Sequence, residues 1–195
     1  MKIGDYFKFG RYPQNNGDTK EPIEWLVPDV SGNGALLISR YGLDCKQYHS
    51  EYVDTTWEDC DLRKWLNNDF LEVAFFDEEQ KKIKVSNLKN DDNPEFETCG
   101  GNSTKDLVFC LSFAEVKRYF KKKTARKCQP TDYSHEQGAW VDDSYGCSYW
   151  WLRSPGAVQS FASLVDTDGT IHLYGDAVYD ILGTVRPALR IILNQ

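Results

Sequence analysis

The stretch YGCSYWWLRSPG, Tyr145 to Gly156, sets the tightest limit on what this chain can fold into. It places two tryptophans and a tyrosine beside an arginine and ends in a Ser-Pro-Gly break. Such a stretch is either a platform for a ligand or the middle of a core. Rings are dense throughout: the 195 residues include 6 Trp, 11 Tyr and 10 Phe. Large rigid side chains favour irregular β-rich architecture over a plain helical bundle. The length suits one domain, 1–195, able to bury a core without staples.

Patterning along the chain predicts an α+β fold. DYFKFG, PIEWLVPDV and GALLISRYGL read as strands, and SGNG (Ser31 to Gly34) makes the last two a hairpin. A helical stretch follows, with a capping-box spacing at Thr55 and Glu58 and a buried stripe of Trp57, Leu62, Trp65 and Leu66. Short helices are expected over 70–75 and 77–83. Residues 88–105 are polar and rich in Gly and Asn, which predicts a long, mobile loop or insertion. DLVFCL reads as a buried strand, and Ser112 with Glu115 caps a helix. Residues 121–144 read as irregular. Four strands close the chain, with a hairpin signal at Asp168-Gly169.

Charge and motifs narrow the function classes. The net charge of −7 makes nucleic acid a poor partner, and the basic run KKKTARK (Lys121 to Lys127) reads as a solvated loop. No apolar run reaches membrane-spanning length, so membrane insertion is not expected. The N-terminus enters a strand pattern with no signal-peptide core. The expected location is therefore the cytoplasm, with a phage particle or a cell surface reached by another route left open. Six cysteines, at 45, 60, 99, 110, 128 and 147, include no pair at zinc-knuckle or redox spacing. Reduced, buried thiols are expected, with no metal and no cofactor. Cys45 and His49 are near in sequence but carry no nucleophile signature. DTDG, Asp166 to Gly169, resembles a calcium loop but lacks the downstream Glu, so it reads as a turn. Arg186 precedes a proline in an apolar strand, which calls for an edge or bulge and a structural salt bridge.

Several motifs in order, FGRYPQ, PIEWLV, TWEDCDLRKWLNNDF, KDLVFCLSFAE and YWWLRSPG…VRPAL, carry a resemblance. The chain resembles a bacterial domain-of-unknown-function family, common in gut Firmicutes, with a WWLRSPG…RPAL signature. The resemblance runs from about Gly4 to Leu193. It implies a C-type-lectin-like fold, irregular and loop-rich. That branch also holds formylglycine-generating enzymes and the variable proteins of diversity-generating retroelements. By this resemblance Trp151 points inward, Arg153 sits in a structural ion pair, and Trp65 packs in the same core. The ligand surface would follow Gly156, over 157–184.

One compositional fact bears on that surface. Retroelement diversification mutates adenines, most productively in AAC codons, which do not yield Lys, Glu, Met or Trp without a third-base change. Residues 157–184 contain none of these four, although the chain has 15 Lys and 11 Glu. Even usage would place about four Lys or Glu there. Packing in a compact hairpin is an alternative reason for their absence, and Gln159 falls outside the AAC rule.

The resulting expectation is a non-enzymatic ligand-binding protein whose partner is a protein or a glycan. Its candidate binding residues are Gln159, Ser160, Phe161, Asp166, Thr167, His172, Tyr174, Asp176, Tyr179 and Asp180. Rings supply contact area, while acids and hydroxyls orient the ligand. The enzyme alternative is a copper-dependent oxidase of the formylglycine-generating type, which needs two reactive thiols at one site. A structural module of a phage particle or larger assembly is the third reading.

Overall fold

The computed structural model describes residues 1–15 and 19–193. Its first third is an antiparallel meander of β1 (Tyr6–Pro13), β2 (Lys20–Ser31) and β3 (Gly34–Ser39). The expected hairpin forms, with Ser31 facing Gly34 and Gly32 at φ +57° in the turn. That left-handed value suits a glycine. Alternate residues of β2 (Ile23, Trp25 and Val27) enter the core. The Trp25 indole donates to the Phe9 carbonyl at 2.7 Å, so its polar edge is satisfied inside.

After β4 (Asp44–Cys45) come α1 (Asp61–Asn67), α2 (Asp69–Ala74) and α3 (Asp77–Gln80). The capping box expected at Thr55 and Glu58 does not form. Residues ahead of α1 make turns, and the Cys60 sulfur accepts the Arg63 N–H instead. Tertiary bonds outcompete the local cap. Glu58 accepts from Asn102 at 2.9 Å, and the Trp57 indole donates to the buried Asp106 carboxylate at 2.9 Å. Arg63 donates to the other oxygen of Asp106 at 2.6 Å. Trp57, Leu62 and Leu66 are buried as the stripe predicts. Trp65 sits at the rim of the core, against Phe70, with the Lys46 ammonium 5.3 Å from its ring centroid.

β5 (Ile83–Lys84) joins the first sheet, while β6 (Ser86–Leu88) and β7 (Thr104–Asp106) pair with each other around the polar loop. That loop is tied down rather than free. Asn93 is buried, and its amide donates toward the carbonyls of Pro155, Gly156 and Leu173 at 2.9, 3.2 and 2.8 Å. Its Oδ1 accepts the N–H groups of Glu95 and Phe96. β8 (Val108–Phe109) is buried, and α4 (Phe113–Tyr119) carries the predicted reciprocal box between Ser112 and Glu115. The stretch expected to be irregular contains α5 (Lys123–Arg126) and α6 (Asp132–Glu136).

The last third supplies β9 (Trp150–Pro155), β10 (Phe161–Val165), β11 (Ile171–Ala177), β12 (Thr184–Val185) and β13 (Ala188–Ile192). The first sheet runs β1-β2-β3-β13-β5, with β8 also on β13; the second runs β11-β10-β9-β12-β4. The opening motif therefore forms a central strand. Trp150, Trp151 and Leu152 have no exposed surface. The two indoles donate to the carbonyls of Arg126 and Lys46, each at 3.0 Å.

Two strand pairs pass from one sheet into the other: β3 continues toward β4, and β12 toward β13. Hydrogen bonds from Ser39 N–H to Pro187 and from Leu43 N–H to Val185, both 2.9 Å, hold them together around the corner. Gly42 is required there, because a Cβ would lie 2.2 Å from the Thr184 hydroxyl oxygen. Pro187, which has no N–H for a ladder, falls between β12 and β13. The salt bridge expected of Arg186 is not made. Its guanidinium donates to the carbonyls of Ser39 at 3.0 Å and Arg126 at 3.3 Å, with the rings of Trp150 and Phe120 at 5.0 and 5.5 Å. Carbonyls and aromatic faces take the place of a carboxylate.

Arg153 does make its ion pair, with Glu115, and it also donates to Asn90 Oδ1 at 3.2 Å and the Cys110 carbonyl at 3.0 Å. It thus joins β9 to the N-terminus of α4 and to the polar loop. Replacing it with Met leaves those acceptors and the Glu115 charge without their donor. Arg153→Met should cost about 3 kcal/mol in urea unfolding, as removal of one partner from a buried pair does. A loss within experimental error of zero would mean that the network adds nothing to stability.

Candidate functional site

β11 is the outer strand of the second sheet, and its ladder with β10 is irregular. His172 and Asp176 lie four apart on β11 but face Leu164 and Ala162, two apart on β10. The extra residues form a bulge. Gly175 allows it, at φ +77°, with room for a Cβ denied by the Ala162 carbonyl oxygen at 2.2 Å. The bulge is held from outside by the Asn93 amide on Leu173 and by the Ala157 N–H on the Tyr174 carbonyl at 2.8 Å.

The bulge turns Tyr174 outward, 55% exposed, into a group of rings. Phe96 and Phe161 meet it edge-on at centroid distances of 5.9 and 5.7 Å, and His172 lies 6.3 Å away. Phe96 arrives from the polar loop, directly after the Asn93 anchor. Exposed Val158 lies in the turn that leads into β10.

The loop after β11 carries a second group. Val178 is buried and fixed at both backbone ends, its N–H on Ser160 at 2.9 Å and its carbonyl taking the His49 N–H at 2.8 Å. Tyr179 then stands exposed, edge-on to Tyr52 at 5.2 Å. Ile181 and Leu182 follow, both exposed, and the Leu182 carbonyl takes the N–H of exposed Trp140 at 3.1 Å.

The ten predicted binding residues therefore divide. Phe161, His172 and Tyr174 come together, and Asp176 and Tyr179 lie exposed along the same strand and the loop that continues it. Asp180 is already engaged: it accepts the Tyr149 hydroxyl and the Leu182 N–H. Burial and that bond push the Tyr149 phenol well above its ordinary range. Gln159 is a tie, its amide donating to the carbonyls of Thr55 at 2.9 Å and Cys99 at 3.0 Å. The Ser160 carbonyl takes the Val178 N–H. Asp166 and Thr167 sit in the turn at the far end of the β10–β11 hairpin, where Thr167 is buried. Sequence reasoning missed Phe96, Tyr52, Trp140, Ile181 and Leu182. The available signal was a large apolar residue inside a polar loop or turn, where no strand or helix pattern accounts for it.

The fold is thus an α+β domain that gathers exposed rings at one edge of its second sheet. A family model described as Domain of unknown function (DUF6273) matches residues 32–193, and the chain belongs to that family. No curated protein and no solved structure matches the chain.

Among the described residues, no three His, Cys, Asp or Glu side chains gather as metal ligands would, and no helix is long and apolar enough to cross a membrane. All six thiols are free, and five are buried. Burial pushes Cys45 and Cys60 up to about 12 and Cys128 up to about 11, and it raises Cys110 and Cys147 as well. A raised thiol is a protonated, weak nucleophile at neutral pH. Cys99 alone is exposed. Iodoacetamide at neutral pH should therefore add one label per native chain, at Cys99, and six after denaturation. Rapid labelling of two native thiols would instead favour a reactive pair.

Proposed function

We propose that this domain is a non-enzymatic ligand-binding module with a C-type-lectin-like fold. Its recognition surface is the outer side of β11 with the loop that follows it. The observation that carries this reading is the concentration of exposed large side chains there: Tyr174, Phe96, Val158, Tyr179, Tyr52 and Ile181 are each more than 40% exposed. Isolated apolar residues on a surface need no explanation, whereas two ring groups on one strand and the loop that continues it do. Rigid aromatics flanked by small polar groups are the composition of adaptable binding surfaces. Their backbone is held by buried Asn93 and Val178 and half-buried Gln159, all separate from the rings. The ligand class is a protein or a glycan.

The finer form of this reading is a diversified surface. Exposed positions of 157–184 that carry His, Tyr, Asp and Ile fit the lack of Lys, Glu, Met and Trp across the same stretch.

A glycan array and a protein-display panel, probed with the native domain, test the proposal. A ligand found this way should bind at least about tenfold more weakly to Tyr174→Ala and to Tyr179→Ala, the loss expected for a central aromatic contact. Ligands held equally well by both variants would place recognition elsewhere. For the diversified form, the flanking DNA should hold a near-copy of the codons for 145–190, differing only at adenines, beside a reverse transcriptase gene. DNA without that copy removes diversification and leaves a fixed surface.

A further inference from the structure

The corner between the two sheets opens into a cleft of about 450 Å³ lined by Tyr6, Arg40, Tyr41, Lys127, Tyr145 and Arg186. The cleft shares no residue with the ring groups around Tyr174 and Tyr179. Three cations line it and no carboxylate does, in a chain with 30 acidic and 23 basic residues. Arg186 is 3% exposed and has only carbonyls and aromatic faces as partners. Among the described residues, Lys127 makes no ion pair, and its ammonium stands 3.8 Å from the Tyr145 ring centroid. Arg40 lies 4.9 and 5.1 Å from the Tyr6 and Tyr41 centroids and has one carboxylate partner, Glu24, at 2.8 Å.

Buried or half-buried charge without a counter-charge is costly, and an anion entering the cleft would relieve it. The rings pre-position the cations and offer flat apolar sides to whatever carries the anion. The volume is that of a small-molecule site. The end of the basic run KKKTARK also acquires a role, since half-buried Lys127 lines the cleft.

We infer that this cleft binds a small cyclic oxyanion, a ring carrying a phosphate or a carboxylate. The acid group sits between Lys127 and Arg40 over the buried charge of Arg186, and the ring lies against the tyrosines. This site is independent of the recognition surface proposed above.

Calorimetric titration at low salt with two matched pairs tests the inference: adenosine monophosphate against adenosine, and glucuronate against glucose. At least one acid should bind while its neutral counterpart does not. Which acid binds more tightly tells a phosphate on a flat-ringed ligand from a carboxylate on a saturated ring. Lys127→Ala and Arg40→Gln should each weaken that binding by about tenfold or more, as loss of a charged hydrogen bond does. Lys127→Arg should retain most of it. Tyr174→Ala should leave it unchanged, which separates this site from the ring surface. The inference is overturned if neither acid binds better than its neutral partner, or if a folded Lys127→Ala variant binds like the native protein.

Discussion

The fold turns on one guanidinium. Arg186 stands where β12 leaves the second sheet and β13 enters the first. It donates to Ser39, the last residue of β3, and to Arg126 at the end of α5, between the rings of Trp150 and Phe120. Five segments thus meet on one side chain. A lysine would carry the charge but not the planar fork, nor the stacking on two rings. Because its partners are carbonyls rather than a carboxylate, the corner is held firmly and yet keeps net positive charge. The cleft beside it inherits that charge.

Arg153, on the neighbouring strand β9, has a comparable role. It fixes β9 to α4 through Glu115 and to the polar loop through Asn90. Asn93 of the same loop then fixes the bulge of β11. Two sets of polar bonds, joined by the three-residue step of chain from Asn90 to Asn93, thus link the central strand to the backbone beneath the exposed rings. Buried networks of this kind specify one arrangement because each unmade bond would be expensive. The rings are left free of structural duty: Tyr174 and Tyr179 are placed by their backbones, and their side chains meet other rings of the same surface. Such a separation of anchoring from display would suit the recognition surface proposed above.

Local chemistry was legible in the sequence, and partners distant along the chain were not. The Gly32 turn, the Ser112–Glu115 box and the Asp168-Gly169 hairpin are short-range devices, and each forms as read. Thr55 and Glu58 have the same box spacing, but Gln159 and Asn102 engage them from far along the chain. Arg186 was recognisable as structural, but the salt bridge expected of it gives way to two carbonyls that only the corner brings within reach. The polar loop looked free because its composition is that of a free loop, and buried Asn90 and Asn93 reverse this. For the candidate surface, the C-terminal rings Phe161, Tyr174 and Tyr179 were found from their region. Phe96 and Tyr52 were missed because their contacts to it span long stretches of chain. The cleft at the corner was invisible for the same reason, since its cations come from β3's end, the basic run and the last crossing.

The proposal rests on a fixed frame that carries a replaceable surface. Its most direct test is a saturation substitution scan read out by folding alone, for example by protease resistance of the displayed domain. The account predicts that Tyr174, Asp176, Tyr179 and Ile181 accept most residues, while Trp151, Arg153, Arg186 and Asn93 accept almost none. If the exposed ring positions prove as intolerant as the frame, those rings are structural and the recognition surface is not where this account puts it.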